Sequence, residues 1–215
     1  MLPLYLLFLI ILGIPALFFL LYLNVAALSF ESLGLSPQGA FAVFTLSLLG
    51  SVINIPIKRE QIVTRPAIPP LWAIFFYYPP VIQERVLAVN VGGAVIPMAV
   101  SLYLLPKAPL LRVLIATAIV SVICYMVAGP VPGRGIMIPA MVPPLTAALS
   151  AVVFARGNAG AVAYIAGTMG TLIGADLMHL KDLRRLGPGV LSIGGAGVYD
   201  GIFLAGLIAA FLAAR

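Results

Sequence analysis

Charge is what this sequence is shortest of. Asp, Glu, Lys and Arg together make up 8% of its 215 residues, against roughly a quarter in an average soluble domain. A chain this poor in charge cannot cover a folded surface with polar groups. That excludes an ordinary water-soluble domain and points to lipid as the solvent. Histidine and cysteine are nearly missing too, with one of each. The lone Cys124, inside an apolar run, cannot close an intrachain disulfide, and one His among scattered carboxylates offers no metal cluster. No organic cofactor is implied. No polar linker interrupts the chain, so residues 1–215 read as a single integral membrane domain. Its 12 Lys and Arg against 6 Asp and Glu are not a nucleic-acid footprint. They stand singly or in twos and threes between apolar runs, as residues that anchor spans do.

What the sequence has instead is apolar length, at 63% hydrophobic. Seven stretches approach the roughly 20 residues a span needs: Leu4–Leu23, Gly39–Ile57, Val86–Leu105, Leu110–Val127, Ile136–Phe154, Ala159–Leu180 and Leu191–Ala213. The expected fold is all-α, a polytopic transmembrane bundle of about seven spans. The first run lacks the basic start of a signal peptide and is too long for one, so it reads as a span with no cleaved segment. "RPAIPPLWAIFFYYPPVIQER" is too short to cross. Its Trp72, Tyr77 and Tyr78 suit the headgroup level, so it reads as an interfacial helix or a re-entrant segment. Lys58, Arg59, Arg65, Arg85, Arg134, Lys181, Arg184 and Arg185 fall on one side of the seven spans. Only Lys107, Arg112, Arg156 and Arg215 fall on the other. That bias predicts a multi-pass cell-membrane protein with its N-terminus cytoplasmic and its C-terminus outside.

No internal repeat is visible. "NIPIK", "NVGGAVIP" and "IPAMVPPLTAAL" each put proline inside an apolar run, where it breaks the helix and frees carbonyls that must find partners within the protein. Asn54 and Asn90 stand beside two of these breaks. They read either as hydrogen-bonded links between helices or as the lining of a pore or active site.

Glu31, Glu60, Glu84 and Asp182 fall in expected loops. Asp176, in "GTMGTLIGADLMHL", and Asp200, in "LSIGGAGVYDGIFLAG", do not. They sit at the end of one expected span and the start of the next, so a helical hairpin sets them at similar depth. Gly170 to Gly174 and Gly197 to Gly201 are GxxxG spacings that let helices approach closely. Two carboxylates held near each other share a proton, which gives an acid–base pair with coupled titration. Ionisable groups in a membrane point to function, while a structural hydrogen bond or a partner such as Lys181 or Arg184 is the plainer alternative. His179, one turn after Asp176, could tune it or serve as an interfacial anchor.

Two resemblances attach to these motifs. "NVGGAVIP", "PPLTAAL", "GTLIGADL" and "SIGGAGVYDGIFLAG" are similar to an uncharacterised prokaryotic family of polytopic membrane proteins, a DUF1614-like domain of unknown function. That resemblance implies no activity. More distantly, the paired Asp residues look like those of presenilin and signal peptide peptidase-type intramembrane aspartyl proteases. "GAGVYDGIF" is similar to their Gly-x-Gly-Asp motif with two residues inserted, and "PPL" at Pro143, Pro144 and Leu145 is similar to their proline motif, although it precedes the Asp pair here. This second resemblance implies a hydrolase of membrane-embedded peptides. Asp176 and Asp200 would be its catalytic residues, supported by Gly174, Gly197, Gly201, Tyr199, His179, Pro143, Pro144, Asn54 and Asn90. The competing expectation is a proton- or cation-coupled transporter or channel that uses the same buried carboxylates. The expected partners are the lipid bilayer and, for a hydrolase, a membrane-peptide substrate.

Overall fold

The computed structural model describes residues 11–17, 20, 23–24, 28–30, 33–64, 79–131, 135–183, 186–195 and 201–213. It corrects the expectation of an all-helical seven-span bundle. Among the described residues, five strands in two sheets accompany the helices. Only two of these helices, Leu110–Val127 and Ala159–Asp182, are long and apolar enough to cross a membrane.

Helix α1 (Pro37–Gly50) begins at Ser36, whose side chain accepts the Gly39 N–H, with proline at the first helical position. Strands β1 (Asn54–Thr64) and β2 (Val81–Asn90) form an antiparallel ladder that pairs Asn54 with Asn90 and Thr64 with Val81. The register slips between Pro56 and Lys58, where proline cannot donate to the ladder. Strand β5 (Gly189–Ile193) joins β2 in parallel, giving the order β1-β2-β5. A small hairpin joins β3 (Gly129–Val131) to β4 (Gly135–Met137).

The helical part comprises α2 (Ile96–Leu104), entered through a π-helical turn at Val91–Val95, then α3 (Leu110–Val127) and α4 (Val142–Phe154). Helix α5 (Ala159–Thr171) continues through a second π-helical turn at Leu172–Leu177 towards the short α6 (Leu180–Leu183), and α7 (Gly201–Ala213) closes the bundle.

The corrections share one cause. A hydropathy window counts Ile, Val and Leu without asking whether they lie on a helix or a strand, and short apolar runs do not separate the two. Gly39–Ile57 is therefore α1 plus the start of β1, and Val86–Leu105 is the end of β2 plus the π turn and α2. Leu191–Ala213 contains the end of β5 before α7, and Ile136–Phe154 begins in β4. Leu110–Val127 is helical throughout. Much of the expected first span lies outside the described residues, with helix at 11–17. Trp72, Tyr77 and Tyr78 also lie outside them, and the tail of their segment is strand. Glu60 and Glu84 are strand residues, not loop residues. Glu60 meets Lys58 at 2.6 Å and, across the ladder, Arg85 at 3.5 Å.

Helix α5 occupies the centre, in contact with α3, α4 and α7. Tyr164, Val120, Val162, Cys124, Phe203 and Leu207 are fully buried around it. Glycines permit this density. A methyl at Gly167 would lie 3.1 Å from the Ala205 carbonyl oxygen of α7, and one at Gly170 would lie 2.6 Å from Val120 Cβ of α3. A methyl at Gly174 would overlap the Ser121 carbonyl and lie 2.9 Å from Cys124 Cβ. The Gly170–Gly174 spacing thus brings α5 against α3, not against the last helix as the sequence suggested; Gly167 makes that contact. Because Gly170 meets Val120 and Gly174 meets Cys124, α3 and α5 run parallel.

Overpacking a tight contact costs about 1–3 kcal/mol. Gly170→Ala should therefore lower the unfolding midpoint in detergent, while Gly129→Ala, with nothing within 4 Å of the added methyl, should leave it unchanged. Equal midpoints for the two variants would rule out close α3–α5 contact.

Candidate functional site

The sheet meets the bundle where β1 begins and where β2 and β5 end. Asn90, 3% exposed, is the last residue of β2 and the cap of the Val91–Val95 turn. Its Oδ1 accepts the Gly93 N–H at 2.9 Å. Its Nδ2 donates to the Ser51 carbonyl at 2.7 Å and to Asn54 Oδ1 at 3.1 Å. Ser192 Oγ, from β5, donates to the same Asn54 oxygen at 2.6 Å. Ser47 Oγ of α1 donates to the Gly92 carbonyl at 2.6 Å. Gly92 is itself pressed against α1, so a methyl there would lie 2.8 Å from the Gly50 carbonyl carbon. Asn54 and Asn90 therefore join three strands to two helices.

Asp176 lies in the π-helical turn Leu172–Leu177 and is partly buried. A π turn is a wide turn in an otherwise α-helical run, a feature frequent at functional sites. The Asp176 Oδ2 accepts the Gly194 N–H at 2.7 Å. Gly194 follows β5 with φ +81°, and a methyl on it would lie 2.5 Å from Ala94 Cβ. Only glycine fits both the turn and the contact. The next residue, Gly195, faces the Asn90 amide carbon, 3.0 Å from where its own Cβ would stand. Asp176, Gly194, Ala94 and Asn90 thus occupy one neighbourhood.

The other sequence-selected residues are placed as follows. His179 is buried, with Nδ1 3.1 Å from both the Gly174 and Ala175 carbonyls. Carbonyls only accept, so Nδ1 carries a proton, and the ring packs against Tyr125 at a tilt of 39° with centroids 4.8 Å apart. It closes back on its own helix. Pro143 and Pro144 are buried in the first turn of α4, where their missing N–H groups leave no helix bond unmade. Gly174 is a helix contact. Gly201 opens α7. Gly197, Tyr199 and Asp200 lie outside the described residues. Among the described residues, no three of His, Cys, Asp and Glu gather as a metal site requires.

The sequence reading missed Ser51, Ser192 and Gly194, and it missed a relation between two segments. Strands β2 and β5 pair in register, with Val86 opposite Val190, Leu87 opposite Leu191, Ala88 opposite Ser192 and Val89 opposite Ile193. "VLAV" therefore lies beside "VLSI", and each leads through Gly-Gly-Ala towards a helix. The signal was present in the sequence, but it is short and interrupted by Asn90 and Val91 in one copy.

Removing the Asn90 amide would strand the Gly93 N–H and the Ser51 carbonyl, and each buried unsatisfied group costs about 1–3 kcal/mol. Asn90→Ala should lower stability to denaturant by that order and speed amide exchange at Gly93. Asn90→Asp, which keeps the capping oxygen, should lie between. Wild-type exchange at Gly93 in Asn90→Ala would show that the cap carries no load.

No curated protein and no solved structure matches the chain, so the kinship with presenilin-type proteases suggested by the Asp motifs has no support. A family model does match, over residues 48–212, and describes a protein of unknown function, DUF1614. The match runs from the end of α1 to the last turn of α7 and takes in both strand–Gly-Gly-Ala segments and Asp176. The chain belongs to the DUF1614 family.

Proposed function

We propose that the chain is a membrane carrier or channel for protons or small cations, with Asp176 as the group that binds them. One observation carries the reading. Strands β2 and β5 both end beside a pair of glycines, and a side-chain oxygen takes a backbone N–H of one glycine at each end. At the first exit that oxygen belongs to a neutral amide, Asn90 Oδ1 on Gly93. At the second it belongs to a carboxylate, Asp176 Oδ2 on Gly194. A neutral oxygen suffices for the structural task, and a charge beside an apolar bundle is costly. The charge is the part left for function to explain.

The mechanism follows from the bond. An ionised Asp176 grips Gly194 by a charge-assisted hydrogen bond, roughly twice as strong as a neutral one. A proton or cation arriving on the carboxylate competes for its lone pairs and weakens that grip. Gly194 is packed on Ala94 in the turn that opens α2, so loosening it relaxes the start of α2. Broken helices around a binding carboxylate are a transporter arrangement. In this reading α3 and α5 cross the membrane. The proposal takes their starts to lie outside and Asp176 towards the cytoplasm, in keeping with the basic residues that follow Asp176 at Lys181, Arg184 and Arg185.

A second reading, hydrolysis by an Asp176–Asp200 pair, is favoured by a single feature: the Asp176 carboxylate holds the turn that leads along the chain to Asp200. It requires that Asp176→Asn and Asp200→Asn each abolish cleavage of a membrane-peptide reporter.

For the carrier, purified protein in liposomes carrying an internal pH dye should dissipate an imposed proton, Na⁺ or K⁺ gradient faster than empty vesicles. Asp176→Asn should slow this at least about tenfold, corresponding to loss of a charge-assisted interaction of 1.5–3 kcal/mol. Asp176→Glu should keep part of the flux. Wild-type flux in Asp176→Asn, or flux no faster than empty vesicles for all three ions, overturns the proposal.

A further inference from the structure

The opposite end of α5 holds a feature that the Asp176 junction does not use. A cavity of about 570 Å³ opens between the turn before α3, the end of α4, the start of α5 and the end of α7, with Lys107, Arg156, Asn158, Gly160 and Ala213 in its wall. Among the described residues, two cations and no carboxylate line it. Neither cation forms an ion pair among the described residues. Lys107 Nζ donates to Tyr103 Oη at 2.9 Å and lies 4.1 Å from the centre of that ring, which holds the ammonium in place without neutralising it.

The wall also offers uncharged donors. Asn158 occupies the cap position of α5, yet its side chain caps no N–H of the helix. Its amide Nδ2 donates instead to the Lys107 carbonyl at 3.3 Å, tying the start of α5 to the turn before α3. The first N–H of α5 with a backbone acceptor is that of Val162, on the Asn158 carbonyl at 3.2 Å. The N–H groups of Ala159, Gly160 and Ala161, all three in the cavity wall, thus take no backbone acceptor among the described residues.

The location narrows the ligand. Helices α3 and α5 are the two of membrane length, and they run parallel, so both begin at this end. Lys107 immediately precedes the first and Arg156 the second. Cations just before two spans stand at the level of the lipid phosphates. We propose that this cavity binds a phosphate group, with Arg156 and Lys107 as its charged ligands and the start of α5 as its neutral wall. The group is either the headgroup phosphate of an anionic lipid or a free phosphate from the adjoining solution. The site is independent of the Asp176 reading.

The test uses the full chain in nanodiscs of phosphatidylcholine, with or without phosphatidylglycerol, and reads lipid retention by native mass spectrometry. Inorganic phosphate is titrated separately in phosphatidylcholine discs and read by thermal shift. A basic residue in contact with an anionic headgroup at the membrane surface contributes about fivefold to its binding. Lys107→Gln and Arg156→Gln should each lower retention by about that factor, and the double variant by about 25-fold. Arg156→Lys should retain most of the binding. Arg112→Gln removes a cation from the first turn of α3 that does not line the cavity, and it should change little. Residue-dependent retention of phosphatidylglycerol assigns the site to lipid. A residue-dependent shift with inorganic phosphate alone assigns it to the free anion. If the double variant binds both as wild type does, or if Arg112→Gln loses as much as the double variant, no phosphate site exists in the cavity.

Discussion

The structure depends on what happens to backbone hydrogen bonds where an extended chain turns into a helix beside apolar surroundings. A strand bonds its N–H groups sideways and a helix bonds them along its axis, so the residues at the change belong to neither pattern and need partners from elsewhere. At the end of β2 the partner is the Asn90 side chain, which takes the Gly93 N–H and passes its own two donors to Ser51 and Asn54. At the end of β5 it is Asp176, reaching across from the π turn of another helix to the Gly194 N–H. The glycines at both exits follow from the same requirement. Gly92 and Gly194 lie so close to α1 and to Ala94 that any side chain would displace the backbone being bonded.

Little of this junction was readable in the residues. Asp176 was singled out as an ionisable group in an expected span, with Asp200 as its expected partner, and its bond to the Gly194 N–H was not foreseen. The helix Leu110–Val127 was bounded correctly because its apolar run stands between Pro109 and Gly129–Pro130 and has no competing pattern. The strands were hidden because Val, Ile and Leu raise hydropathy equally in either conformation, so a buried strand joined to a helix reads as one long span. Charged residues inside β1 and β2, such as Lys58, Glu60, Glu84 and Arg85, were the available warning. They were assigned to loops because seven spans left nowhere else for them. Gly174 was recognised as a close-contact residue but given the wrong partner, since sequence spacing names the face of a helix and not the helix opposite.

The parallel pairing of β2 with β5 changes how the two exits relate. Adjacent parallel strands in register bring equivalent positions side by side, so the cap at Asn90 and the turn at Gly194 are neighbours, as the approach of Gly195 to the Asn90 amide requires. A disturbance at one exit is felt at the other through direct contact. Asp176 is the one ionisable side chain bonded into this pair of exits among the described residues.

The sheet also fixes the depth of the junction. In the order β1-β2-β5, β1 and β5 are both edges among the described residues. Open sheet edges do not occur within the hydrocarbon of a bilayer. The ion pairs of Glu60 with Lys58 and Arg85 on the same sheet agree with a watered setting. If α3 and α5 cross the membrane, the sheet must lie at or beyond one boundary of it. Asp176, bonded to the turn at the end of β5, then stands where the apolar bundle meets that boundary. In the proposed carrier, a carboxylate there exchanges protons or cations with water while its hydrogen bond to Gly194 passes the exchange to the turn that opens α2, and a carboxylate sealed at the centre of the bundle could not do both.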